Sequence, residues 1–137
     1  MTLYLDSSSL VKLYVDEPGS EHIEQLTKDA TVVATSALAY PEIRAAFARR
    51  RRERTLTPRE LAACRRQFME DWPAILVLPL DGPLAERAGA LAEAHAIRGA
   101  DAVHLAAFER LLSFADDDDV QFSCADDRLT RAARRLG

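Results

Sequence analysis

Cysteine is scarce: Cys64 and Cys124 are the only two in 137 residues. Two are too few for a disulfide framework or for a zinc site of the paired-cysteine kind, so a reducing compartment is expected, with the cytoplasm as default. Long apolar runs are absent too. No stretch approaches the length needed to span a membrane, and the start, Met1-Thr2-Leu3-Tyr4-Leu5-Asp6, has neither the basic residues nor the apolar length of a signal peptide. Net positive charge is also lacking. The formal charge of −4 argues against a general nucleic-acid coat, although binding depends on local patches as well as on the sum. One such patch exists, in Arg49 to Arg52 with Arg54.

Nearly half of the residues are apolar and 29% are charged, an ordinary balance for a folded soluble protein and one that excludes wholesale disorder. The length fits a single domain over 1–137, large enough to bury a core without disulfides or a structural metal. No internal repeat is present. Thr2 to Leu5 reads as a short buried strand, and the following Ser run can cap a helix carrying Leu10, Val11, Leu13, Tyr14 and Val15. Pro18-Gly19 stops that helix. A helix from Ser20 to Lys28 then leads to a strand at Thr31 to Ala34, and Thr35-Ser36 opens a long helical pattern that ends in arginines.

Thr57-Pro58-Arg59-Glu60 combines an N-cap, a proline at the first helical position and an acid three residues after the cap, so a helix should run to about Asp71. Ile75 to Leu80 reads as the third strand, and Asp81-Gly82-Pro83 turns the chain into a helix through His95. Ala100 to Phe114 is helical. The run Asp116 to Asp119 reads as a solvated loop, Val120 to Cys124 as the fourth strand, and the remainder to Leu136 as a last helix. Strands that alternate with helices and lack polar alternation imply an α/β fold with a parallel sheet covered on both faces. In such sheets ligands bind beyond the carboxyl ends of the strands, where Asp6, Thr35-Ser36 and Asp126 lie.

Four acids stand out at element boundaries: Asp6, Glu42, Asp101 and Asp126. Each has an ordinary explanation. Asp6 and Asp126 can be helix N-caps, with Asp127 competing for either role of Asp126. Glu42 and Asp101 can be first-turn charges that favour the positive helix end. Pro41 beside Glu42 costs a helical hydrogen bond unless the helix starts late or bends. Asp101 lies on the same stripe as Leu105, Phe108 and Leu112, which otherwise faces the core. His104, one turn on, reads as a buried structural or supporting group, because no other histidine has the spacing of a metal site. Taken together the acids say more. Four carboxylates converging on one pocket would repel by roughly 3 kcal/mol per pair at about 5 Å and an effective dielectric near 20. A divalent cation removes that cost, and oxygen-only ligands favour Mg²⁺ or Mn²⁺ over zinc.

From end to end the chain resembles the PIN-domain ribonucleases, and among them the VapC-type toxins of bacterial toxin-antitoxin pairs. Leu3 through Tyr14 is similar to the family's first motif, and Thr35-Ser36 through Glu42 with the arginine-rich helix end to its second. Gly99-Ala100-Asp101-Ala102-Val103-His104-Leu105-Ala106 resembles the third motif, and Phe122 through Leu129 the fourth. Two departures are visible: Cys124 stands where similar sequences often carry Ser or Thr, with Ser123 one place earlier, and Pro41 adjoins the second acid. The resemblance implies a three-layer α/β/α PIN-like domain with a central parallel sheet and Asp6, Glu42, Asp101 and Asp126 as the catalytic acids. It also implies Mg²⁺ or Mn²⁺ held by Asp6, Asp101 and Asp126, a homodimer and a VapB-type antitoxin.

The chemistry so implied is hydrolysis of an RNA phosphodiester by metal-activated water, with Glu42 positioning the water or a second metal. Arg49, Arg50, Arg51 and Arg52 are candidates to guide the RNA backbone, unless they form only a solvated helix end. An aspartate-nucleophile phosphatase would need a second Asp two residues after Asp6, where Ser8 stands. Within the PIN fold, the competing readings are a nuclease that is not a toxin and an inactive module that binds RNA or protein.

Overall fold

The strands are short and flanked by helices that carry most of the apolar surface. In this computed structural model, which describes residues 1–115 and 119–136, the chain begins with strand β1 (Thr2–Leu5) and helix α1 (Ser7–Leu10), which tightens into a 3₁₀ turn at Val11–Leu13. Next come α2 (Ser20–Asp29), β2 (Val32–Ser36), α3 (Ala39–Arg52) and α4 (Pro58–Asp71), the last followed by a 3₁₀ turn at Trp72–Ala74. Strand β3 (Leu76–Leu78), helices α5 (Gly82–His95) and α6 (Gly99–Phe114), strand β4 (Val120–Ser123) and helix α7 (Asp127–Leu136) complete it. Of the expected acidic loop, Asp116 to Asp118 lie outside the described residues. The carbonyl of Asp119 accepts a hydrogen bond from the Thr2 N–H at 3.0 Å.

The four strands form one parallel sheet in the order β3-β2-β1-β4. Side chains alternate across a strand, and β1 uses both directions for burial. Leu3 and Leu5 join Leu10, Ile23, Ile43, Phe47 and Phe68 on one face. Tyr4 joins Leu84, Leu91, Leu105, Phe108 and Leu129 on the other. The result is three layers, with α1 to α4 covering one face and α5 to α7 the other. Each fully buried Leu, Ile or Phe contributes about 1.5–3 kcal/mol by area removed from water. Phe68, fully buried, also packs within ring-centroid distances of 5.4, 5.3 and 5.5 Å of Tyr14, Tyr40 and Trp72.

β1 is an inner strand, so its carboxyl end opens in the middle of the sheet rather than at an edge. Leu5 pairs with Ser123 in register, and the Asp6 N–H donates to the Ser123 carbonyl at 3.1 Å. On the β2 side the Thr35 hydroxyl donates to the Leu5 carbonyl at 2.6 Å.

Several boundaries differ from the sequence expectation. The first helix is shorter, since only Ser7–Leu10 is α-helical before the 3₁₀ turn. β3 stops at Leu78 rather than Leu80 because Pro79 has no N–H to offer the ladder. Pro41 is accommodated by a late helix start: Thr35 and Ser36 end β2, and α3 begins only at Ala39. The proline lies in the first turn of α3, where a backbone N–H has no helical acceptor anyway, and the next residue, Glu42, already bonds back to the Leu38 carbonyl at 3.3 Å.

Candidate active site

All four acids singled out in the sequence line one open cavity of about 660 Å³ at the carboxyl end of the sheet. They arrive from different places: the end of β1, the first turn of α3, the first turn of α6 and the start of α7. Asp6 is the most buried, at 4% exposed, and it is also the α1 cap. Its Oδ1 accepts from the Ser9 N–H at 3.0 Å and from the Ser8 hydroxyl at 2.7 Å. The serines therefore serve as donors while the aspartate caps, the reverse of a Ser cap with a free Asp. Burial pushes the Asp6 carboxyl up, against the Ser8 hydroxyl, the field of His104 and the Ser9 N–H, while Asp101 adds to the rise.

Glu42 is held by two donors. The Ser7 hydroxyl donates to its Oε1 at 2.6 Å, and His104 Nε2 lies 2.9 Å from the same oxygen. His104 is itself buried and anchored from behind, with Nδ1 2.8 Å from the Tyr4 hydroxyl. Burial and then the fields of Asp6 and Glu42 hold the Tyr4 phenol well above its ordinary value, so its hydroxyl keeps its proton. When that hydroxyl donates to Nδ1, the hydrogen of the neutral imidazole stands on Nε2 and is available to Glu42. Burial alone would raise the Glu42 carboxyl. The hydrogen bonds from His104 and Ser7, with the charges of His104 and Arg98, outweigh it and leave Glu42 below the usual range.

Asp126 is exposed, whereas Asp101 is more enclosed than Glu42. The Asp101 side chain is 14% exposed and pairs with Arg98, whose Nε and Nη2 donate to Oδ2 and Oδ1 at 3.0 and 3.4 Å. Asp126 accepts from the Leu129 N–H at 3.0 Å and so caps α7, as its sequence position allows. That hydrogen bond, followed by the Arg128 N–H and the charges of Arg128 and Arg98, holds its carboxyl below the usual value despite a smaller opposing effect of burial. Of the two neighbouring acids, Asp126 lines this cavity, whereas Asp127 lines only the adjoining one.

Ser123 and Cys124 face different partners. The Ser123 hydroxyl meets that of Ser9 at 2.9 Å. The Cys124 thiol contacts the Asp126 carbonyl and the Thr130 hydroxyl at 3.1 and 3.0 Å, and it serves the start of α7 rather than the cavity.

Cations share the cavity with the acids. Lys12, Arg49, Arg50, Arg52 and Arg98 line it, whereas Arg51 does not. Arg50 is already engaged: it pairs with Glu17, which also receives Lys12 Nζ at 2.9 Å. Burial would raise the Glu17 carboxyl, but the hydrogen bonds and charges of Lys12 and Arg50 hold it low. Sequence reasoning missed Ser7, Ser8, Lys12, Glu17 and Arg98. Only Arg98 left a signal that could have been used, an arginine three residues before an acid on one helix end.

The donor chemistry fits a hard divalent cation, because carboxylate oxygens are the ligands such ions prefer. The carboxylates are not drawn into a closed set, however. Among the described residues no three His, Cys, Asp or Glu side chains are grouped as a ready metal-ligand cluster. Each acid is instead committed to its own donor: Asp6 to Ser8 and Ser9, Glu42 to Ser7 and His104, Asp101 to Arg98, and Asp126 to Leu129.

Comparison with known proteins places this architecture. Residues 3–134 match the family model described as PIN domain. Ribonuclease VapC45 and Ribonuclease VapC49 of Mycobacterium tuberculosis are each 44% identical over 104 residues, covering 76% of this chain and 72% of theirs. The crystal structure of FitAcB from Neisseria gonorrhoeae aligns with a TM-score of 0.72 at 18% identity, covering 96% of this chain and 93% of that one. The structure of Mycobacterium tuberculosis VapC20, described as a Sarcin-Ricin loop cleaving toxin, aligns with a TM-score of 0.63 at 20% identity, over 85% of this chain and 91% of its own. These structural likenesses bear out the three-layer α/β/α fold. No helix among the described residues is long and apolar enough to cross a membrane.

Proposed function

This chain belongs to the PIN-domain family, and on that premise we propose that it is a divalent-metal-dependent endoribonuclease, the toxin of a type II toxin-antitoxin pair. The observation that carries the reading is the arrival of Asp6, Glu42, Asp101 and Asp126 from four separate elements at one cavity that also presents cationic side chains. Such a cavity suits a substrate that is itself a polyanion: the cations attract the phosphates, while the acids need a cation between themselves and the substrate. The likeness to two ribonucleases at 44% identity supports the same reading.

Asp6 and Asp101 would hold Mg²⁺ or Mn²⁺, with Asp126 completing the shell directly or through water. A bound cation supplies Lewis-acid stabilisation of charge on the phosphoryl oxygens and a water of lowered pKa. Glu42 orients the attacking water as an acceptor. That role requires an ionised carboxylate, and the hydrogen bonds from Ser7 and His104 keep Glu42 in that form at neutral pH. Tyr4 fixes the imidazole, and the imidazole fixes the carboxylate, so the acceptor is oriented before substrate arrives. Arg49 and Arg52 supply unspecific attraction to the RNA backbone.

The partners in this reading are RNA, a VapB-type antitoxin and a second copy of the chain as a homodimer, in the cytoplasm. Incubation of the purified protein with total RNA tests the central activity. Discrete fragments are expected in Mn²⁺ or Mg²⁺ and none in excess EDTA. Asp101→Asn should lose cleavage by a factor of about a hundred or more, while circular dichroism and melting show it folded; groups that merely support a metal ligand already cost roughly 10–100-fold when changed, and a ligand should cost at least as much. Cleavage that persists in EDTA, or full activity of Asp101→Asn, would overturn the reading.

A further inference from the structure

Of the four acids, Asp101 is the one held by an arginine, and that arginine is not part of any core. The Arg98 side chain is 82% exposed, yet its guanidinium forks onto both Asp101 oxygens at 3.0 and 3.4 Å. Its backbone is extended, at φ −66° and ψ 155°, and it stands in the N-cap position of α6 without giving the helix a side-chain cap. From there the side chain reaches across the first turn to Asp101. The hydrogen bond and charge of Asp101 raise the Arg98 guanidinium, with smaller contributions from Asp126 and Glu42, so the positive charge lies within the field of three of the four acids. Arg98 also lines both the main cavity and the neighbouring one of about 590 Å³ that Asp101 and Asp126 share with Arg128 and Arg131.

We propose that Arg98 is a built-in counter-ion of the acidic site, which occupies Asp101 in the metal-free protein and must let go before a divalent cation can use that carboxylate. The inference rests on the metal-site reading above and deepens it. It accounts for the absence of a ready three-carboxylate set among the described residues, because one of the two firmest candidate ligands is already neutralised by its own chain. It also accounts for how four acids can share a cavity without a cation: the repulsion that would otherwise open the site is offset by a guanidinium that swings on an exposed stem. In consequence the protein binds its metal more weakly than four free carboxylates would. Nuclease activity then rises with the supply of divalent cation rather than being saturated at all concentrations.

Isothermal titration of the full chain with Mn²⁺ alone reads this out without any cleavage assay. Arg98→Gln is expected to tighten Mn²⁺ binding by about five- to tenfold, from the combined loss of a competing ion pair and of a like charge near the site. Arg52→Gln, which removes another cation from the same cavity but none that holds an acid, is expected to change it by less than about twofold. An unchanged or weaker affinity in Arg98→Gln would overturn the proposal, as would equal tightening in both variants, which would mean general cavity charge rather than competition for Asp101. Failure of the wild-type protein and both variants to bind Mn²⁺ would overturn the metal-site reading and the proposal with it. Because Arg98 makes no core contact, the variant's fold is checked simply by its melting curve in EDTA.

Discussion

At Asp6 two demands on one carboxylate conflict. As a cap it satisfies the Ser9 N–H and orders the chain leaving β1, and as a buried anion it costs stability that no protein cation fully offsets. The balance is a carboxyl raised by burial. A group whose folded-state pKa lies above its unfolded value contributes stability that is fully present below the unfolded pKa and is lost as pH rises through the folded one. At neutral pH the ionised Asp6 therefore weakens the metal-free protein. Asp6→Asn keeps the accepting oxygen and removes the charge, and in EDTA it is expected to raise the melting temperature by about 2–5 °C, the shift that roughly 1 kcal/mol produces in a chain of this size. Mn²⁺ should then stabilise the wild type and leave the variant almost unmoved, since a ligand stabilises only the state that binds it. A lower melting temperature for Asp6→Asn in EDTA would mean that capping is the residue's main task.

At the scale of elements, α3 shows how one helix end can serve two purposes. Its four arginines look equivalent in sequence, yet Arg50 is tied to Glu17, Arg51 does not line the cavity, and Arg49 and Arg52 line it outside the ion-pair network around Glu17. RNA binding to the cleavage-deficient Asp101→Asn protein, titrated with salt, separates them. Removing Arg49 or Arg52 should each reduce the slope of log affinity against log salt by about 0.7, the value for one phosphate contact on a single strand. Arg51→Ala should leave the slope unchanged, and a slope that falls equally for all three would point to bulk charge.

The same helix marks what was legible in the sequence. The alternation of strands and helices, the Thr57 capping box and the Asp81 turn into α5 are local signals, and the structure contains all of them, with the capping box closed in both directions. The four acids were legible as a set because each lies where a strand or helix changes direction. The network behind them was not. Ser7 and His104 are 97 positions apart and meet at 3.2 Å, and Tyr4 reaches His104 over 100 positions. Helical and strand periodicity reports neighbours within an element, and contacts of this kind exist only once the sheet has assembled. Pro41 left two alternatives open in the sequence, a late start or a bend, because its place in the first turn depends on where α3 starts, and helix ends are the elements' least sharply defined residues.

For the molecule as a whole, the net charge says little about the site, because residues of both signs meet at one cavity. A net charge of −4 would suggest a poor ligand for RNA, yet the mouth of the sheet carries arginines and a lysine beside carboxylates that range from buried Asp6 to exposed Asp126. The topology creates this arrangement: β1 is central, its end is flanked by β2 and β4, and the helices that follow bring their first turns to the same point. Polyanion and divalent cation can then be held together by groups of opposite sign, and a partner that closes this one opening would silence the site. Anomalous diffraction from a crystal soaked in Mn²⁺ would show whether four acids from distant parts of the chain act as one cation site. The expected result is a peak bounded by Asp6 and Asp101, with the Arg98 guanidinium displaced from Asp101; crystals that show no peak in the cavity, with Arg98 still forked onto Asp101 at saturating Mn²⁺, would contradict it.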